Sequence, residues 1–166
     1  MDFRFSPEFR LEDINKDNVL EAFRDRIEKY YFKPIKMLND KKCGFAAIGL
    51  LASLIDILVK AKDHLTEHKS RTEYECWLRE KLGFEKQGAI DFYKDFRCGL
   101  LHSGCIESGG QVSYETSDIY IFYEDHHFIN PEILLEKIKH HFDEFIKYEN
   151  PTELFEYFKI KLEEIE

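Results

Sequence analysis

A chain of 166 residues with a formal charge of −9 can bury one hydrophobic core but is too short for two domains. The acidic balance excludes a protein that coats DNA through a broad basic surface, so any nucleic-acid contact has to come from a local basic cleft. Hydrophobic residues at 43% and charged residues at 34% fit a soluble globular protein, with fifteen Phe and nine Tyr available to build an aromatic core.

Residues 1–16 carry Phe3, Phe5, Phe9 and Leu11 at spacings that suit either a short strand or a loop anchored by aromatics. Asn18, with Glu21 three residues on, reads as a capping box opening the first helix. Val19, Leu20, Phe23, Ile27, Tyr31, Ile35 and Leu38 then recur with helical spacing, and Pro34 is expected to kink or interrupt the run. A second helix is predicted from about Lys42 to Lys62. Its apolar stretch, Phe45 to Val59, falls short of the roughly 20 residues of a membrane span and contains Ser53 and Asp56, so a buried central helix is expected. Its less apolar stripe is Gly49, Ala52, Ser53, Asp56, Lys60 and Asp63, where small residues admit a neighbouring helix.

Ser70 with Glu73 marks another capping box, opening a helix that Gly83 ends. A fourth helix covers about Lys86 to His102, with Ile90, Phe92, Tyr93, Phe96, Leu100 and Leu101 apolar and Ser103-Gly104 stopping it. Val112 and Tyr114, then Ile119, Ile121 and Tyr123, alternate across a polar turn at 115–118 and predict a β-hairpin. Asn130-Pro131 and Asn150-Pro151 each set an N-cap before proline at the first helical position. Leu134, Leu135, Ile138, Phe142, Phe145 and Ile146 face inward on the first of these helices. Leu154, Phe155, Phe158, Leu162 and Ile165 do so on the second. The expected architecture is mainly α, a bundle of five or six helices with a small β-hairpin after the fourth, in a single domain over residues 1–166.

Cys43, Cys76, Cys98 and Cys105 form no Cys-x-x-Cys pair, and the opening Met-Asp-Phe-Arg-Phe lacks the apolar run of a signal peptide. Reduced thiols in a cytoplasmic protein are the expectation.

The sharpest local feature runs from Phe92 to Gly104 and contains Arg97 and His102. Five residues apart, they stand roughly 140° from each other on an ideal α-helix, so only the helix end can redirect His102 toward Arg97. The plainer account has both cations answering the last carbonyls and the helix dipole.

Arg97, four intervening residues and His102, late in a helical bundle, resemble the Arg-x4–6-His motif of the HEPN superfamily. The wider phrase from Phe92 to Gly104 is similar to the corresponding helix end in HEPN-like proteins of bacterial defence and toxin loci. The specific match covers about a dozen residues, and the helix order covers most of the chain. The resemblance implies a dimeric, metal-independent endoribonuclease without a cofactor, serving stress or phage defence. Its chemistry is attack of an RNA 2′-hydroxyl on the adjacent phosphorus, giving a 2′,3′-cyclic phosphate and a 5′-hydroxyl. Under that resemblance Arg97 and His102 are catalytic. The imidazole moves protons near neutral pH and the guanidinium braces the phosphorane oxygens. Asp56, Lys94, Asp95 and Cys98 are candidates for binding or orienting, Asp56 toward Arg97 or His102. The implied partners are RNA, a second copy of the chain, and an antitoxin or defence-system protein, with neither membrane nor DNA among them.

Catalytic members commonly carry Asn, Asp or His directly after the Arg, where this chain has Cys98. The same fold acting as a catalytically silent module for RNA, a nucleotide or a protein is therefore the alternative reading, and a purely structural helical dimer is a third. Gly104 stands where some toxin members have the Tyr modified by a partner nucleotidyltransferase, so that partner is not expected.

Other clusters read more plainly. His64-Leu65-Thr66-Glu67-His68 matches a zinc-peptidase string but sits among Lys60, Lys62, Asp63, Lys69 and Arg71, as a solvated helix end does. His126-His127 and His140-His141 are adjacent pairs whose members point apart. Cys98, His102 and Cys105 lack a fourth zinc ligand. Lys33, Lys36, Lys41 and Lys42, near Tyr30, Tyr31 and Phe32, form a basic cluster able to meet RNA phosphates or simply to solvate a helix end.

Overall fold

The computed structural model describes residues 3–63 and 70–163. The N-terminal segment is a tight loop closed by one isolated antiparallel bridge between Arg4 and Arg10, followed by a 3-10 turn at Leu11–Asp13. Phe5 is buried against Phe158, whereas Phe3 stays exposed.

Helix α1 (Val19–Ile27) buries Val19, Ala22, Phe23 and Ile27 along one stripe. The expected capping box does not form. Asn18 has helical backbone angles, its Oδ1 accepts from the Asn15 N–H at 2.8 Å, and its Nδ2 donates to the Asp13 carbonyl. A local turn has claimed the side chain that would otherwise cap. After α1 the chain stays helical through a π-helical segment, Glu28–Phe32, into α2 (Lys33–Asp40). Pro34 follows just after the π segment, which takes up its missing N–H, and the Lys33 N–H bonds to the Glu28 carbonyl, five residues back. Pro34 thus interrupts the α-helical bonding without breaking the rod.

Helix α3 (Gly44–Asp63) is apolar nearly all round and takes the central place, packing against α2, α4 (Ser70–Leu82) and α6 (Pro131–Tyr148). By length and composition its window Gly44–Ala61, of mean hydropathy 1.9, is apolar enough to cross a membrane, longer than the stretch the sequence suggested; 56% of that window is buried in the fold. On the small-residue stripe, close approach happens at Ala52, whose carbonyl accepts from the buried Tyr74 hydroxyl of α4, while Gly49 faces open space. Ser70 is the first described residue of α4, and the side chain on which the expected capping box turns lies outside the residues whose side chains are described.

The predicted fourth helix is two different helices end to end. Helix α5 (Lys86–Asp91) passes into a twelve-residue π-helix, Phe92–Ser103, closed by Gly104 at φ 67°. Phe92, Asp95, Phe96 and Gly99 form its buried side, and it packs on α3.

The inserted β element is a three-stranded sheet rather than a hairpin across residues 115–118. Strands β1 (Gly110–Val112), β2 (Tyr120–Tyr123) and β3 (His126–Ile129) lie in the order β1-β3-β2. The hairpin is β2–β3, turning at Glu124-Asp125, and β1 joins β3 in parallel. β3 was hidden because its core-facing positions are His127 and Ile129, and a buried histidine does not register as apolar.

Asn130 caps α6 as expected, its Oδ1 accepting from the Glu132 and Ile133 N–H groups. Asn150 does the same for α7 (Pro151–Glu163) through Thr152 N–H at 2.9 Å. Leu134, Ile138, Phe142 and Ile146 of α6 and Leu154 of α7 enter the core; Leu162 and Ile165 lie outside the residues whose side chains are described. Edge-to-face rings, Phe23 on Phe142 and Phe32 on Phe142, tie α1 and the first π segment to α6. The molecule is thus a mainly helical bundle with a small sheet inserted between its helices.

Candidate functional site

The π-helix changes the geometry that the sequence implied for Arg97 and His102. Its defining bond runs from residue i to i+5 and its turn is wider than that of an α-helix, so positions five apart diverge less than on an α-helix. Arg97 and His102 have that spacing. The left-handed Gly104 then ends the helix directly beyond His102 and Ser103.

Arg97 does not answer the helix carbonyls. Its Nε and Nη2 donate to Asp56 Oδ2 of α3 at 3.1 and 3.0 Å, and Nη1 donates to Cys98 Sγ at 3.8 Å. The two side chains are only 19% and 16% exposed, so the charges compensate each other in a partly dry setting. Burial lowers the Arg97 pKa, but the charge of Asp56 and the hydrogen bonds to Cys98 and Asp56 outweigh it and hold the guanidinium above its usual range. Of its N–H groups, one on each terminal nitrogen is left over to meet an anion. The guanidinium also lies over the ring of Tyr93, 5.3 Å from its centroid.

Tyr93 is braced from behind. Its ring meets Tyr74 edge to face at 5.3 Å, and Tyr74 is fully buried. Burial drives the Tyr74 hydroxyl well above its ordinary pKa, and the charge of Asp56 adds to that, so it stays protonated and donates to Ala52. Arg71, on the first turn of α4, brings a second guanidinium over Tyr93 at 5.9 Å while its Nε donates to Glu75 at 2.6 Å.

His102 is exposed and has no hydrogen-bond partner among the described residues. Asp56 is brought to Arg97, not to His102. Cys98 is half-buried beside Arg97. Lys94 is exposed and donates to Ser108 Oγ at 3.2 Å. Asp95 turns inward to a different place. It is buried with His127 of β3, Oδ2 lying 3.3 Å from Nε2 without the alignment of a hydrogen bond, and its Oδ1 has Lys94 Nζ at 3.6 Å. Asp95 therefore ties the π-helix to the sheet and does not line the Arg97 site.

The remaining candidates scatter. His64 and His68 lie outside the described residues. His126 and His140 are exposed, and His141 packs edge-on to Trp77. Lys33, Lys36 and Lys41 are exposed, while Lys42 pairs with Glu132 at 3.0 Å and covers the Tyr114 ring. Among the described residues no three His, Cys, Asp or Glu side chains gather as a metal site. Sequence reasoning places Tyr93 among the core aromatics of the fourth helix and gives no sign that Tyr74 belongs to the site. It took Arg71 for a solvated charge. The i, i+4 spacing of Tyr93 and Arg97 was the one available signal.

Fold and site together define a mainly helical domain that presents a carboxylate-held arginine on a π-helix. No family model, characterised protein or solved structure matches the chain.

Proposed function

We propose that the protein is a metal-independent endoribonuclease of HEPN type, with Arg97 and His102 as its reacting groups. The observation that carries this reading is Arg97 itself: a permanently charged fork, fixed by Asp56, with an N–H left over on each terminal nitrogen, on a π-helix whose wider turn reduces its divergence from His102 five residues on. Preorganised donors of this kind stabilise charge that develops on a phosphorane. His102, exposed at the helix end, takes the proton from the 2′-hydroxyl or returns one to the leaving 5′-oxygen. A single histidine cannot do both at once, so two chains meeting across a dimer interface complete the set. Asp56 is a positioning residue that acts through Arg97. The cellular setting that goes with this chemistry is a cytoplasmic stress or defence system with an antitoxin-like partner.

Cys98, where a polar residue commonly stands, supports a second reading. Its sulfur accepts one of the two Arg97 Nη1 N–H groups, and those left over can hold an RNA or nucleotide phosphate without cleaving it.

Incubation of the purified protein with mixed RNA in EDTA separates the two. The nuclease reading expects 2′,3′-cyclic phosphate ends that disappear in Arg97→Ala and in His102→Ala. It also expects kcat to fall about 100-fold in Asp56→Ala, the usual consequence of losing alignment. Intact RNA together with binding that Arg97→Ala weakens favours the silent module. Cleavage that survives both substitutions overturns the assignment of the site.

A further inference from the structure

We propose that Arg71, sharing the ring of Tyr93 with Arg97, forms a second cationic subsite that takes the neighbouring phosphodiester of a single-stranded RNA bound at Arg97. The proposal rests on the reading of Arg97 as a phosphate ligand and adds where the next phosphate of the same strand is held.

Arg71 and Arg97 come from separate helices, α4 and the π-helix, yet both guanidinium carbons lie within 6 Å of one ring centroid. Like charges do not gather at one ring without compensation, and here each has its own carboxylate, Glu75 for Arg71 and Asp56 for Arg97. Each carboxylate is met on the Nε side, which among the described residues leaves both terminal nitrogens of Arg71 and part of each on Arg97 for a further anion. The two cations differ in depth. The Arg71 side chain is 58% exposed and that of Arg97 19%. A shallow cation beside a deep one, with an immobilised aromatic ring common to both, suits a strand whose one phosphate enters the site while the next stays at the rim. The ring is held in place by Tyr74, itself fully buried.

A 2′-O-methyl oligouridylate, which has no free 2′-hydroxyl and cannot be cleaved by this route, is the probe. Its affinity is measured by fluorescence anisotropy across a range of salt concentrations for the wild type, Arg71→Ala, Arg71→Lys and Arg97→Ala. Arg71→Ala is expected to weaken binding several-fold and to reduce the salt slope by about 0.7, one single-strand phosphate contact. Arg71→Lys keeps the charge and is expected to retain the slope, which separates loss of a phosphate contact from loss of packing. If Arg71→Ala keeps the wild-type slope while Arg97→Ala lowers it, the subsite is refuted and the Arg97 reading stands. If neither substitution changes the slope, or the wild type does not bind the probe, both fail.

Discussion

Arg97 carries a full charge into a half-buried position because Asp56 stands one helix away to meet it, and the pair costs little only while both members are present. Asp25 shows the same logic where no chemistry is involved. Its carboxylate accepts from Ser6 Oγ at 2.7 Å, the Glu8 N–H at 3.0 Å and Lys29 Nζ at 2.8 Å, pinning the N-terminal loop to α1. Burial pushes the Asp25 pKa up, but the hydrogen bonds from Lys29, Ser6 and Glu8 outweigh it and hold the group below its ordinary 3.8. A carboxyl with a depressed folded pKa stabilises the fold fully above its unfolded value and loses that contribution as pH falls through the folded one. Asp25→Ala is expected to lower stability by about 2 kcal/mol at neutral pH, since it removes hydrogen bonds to a charged acceptor and strands the buried Ser6 hydroxyl. Urea denaturation at neutral pH and again below the ordinary carboxylate pKa checks this. The gap between wild type and variant should shrink in acid, and a gap that stays constant contradicts the account.

At the scale of elements the π-helix is the feature on which the site depends, and the loop after it holds it in place. Gly99 meets that loop: a Cβ there would lie 2.6 Å from the Cys105 carbonyl oxygen, while the Glu107 N–H donates to the Asp95 carbonyl and Ser103 Oγ to Glu107. Gly99→Ala must displace the loop and is expected to cost about 1–3 kcal/mol, read as a lower melting temperature. Unchanged stability would show that the loop does not clamp the helix. Sequence pattern located this helix, its Gly104 terminus and the Asn130-Pro131 and Asn150-Pro151 starts because those signals are local and carried by single residues. It did not show the π-bonding. Phe92, Phe96 and Leu100 recur every four residues, which suits an α-helix equally, and the choice is made by what packs around them. Asn18 failed as a cap and β3 escaped notice for related reasons: a neighbouring asparagine captured one side chain, and burial of His127 beside Asp95 masked the apolar alternation of the other.

For the molecule as a whole, α3 organises the arrangement. Its apolar composition makes it central, and Asp56 on its less apolar stripe fixes Arg97. The order of helices and the presence of a small β insertion were therefore legible from periodicity and caps. The joining of Arg71, Tyr93, Arg97 and Asp56 was not, because three separate helices have to pack before those residues become neighbours. The net charge of −9 belongs to this scale as well, since a chain so acidic can meet an anionic strand only where its cations are concentrated.

The central claim is that Arg97 and His102 act on one phosphate, and NMR of the His102 imidazole tests it most directly. Titrating the protein with the 2′-O-methyl oligouridylate should move the His102 ring resonances in the wild type, and Arg97→Ala should abolish that movement at the same probe concentration. Ring resonances that stay still while the oligonucleotide binds, or that move equally without Arg97, would place the two groups at separate sites and contradict the account.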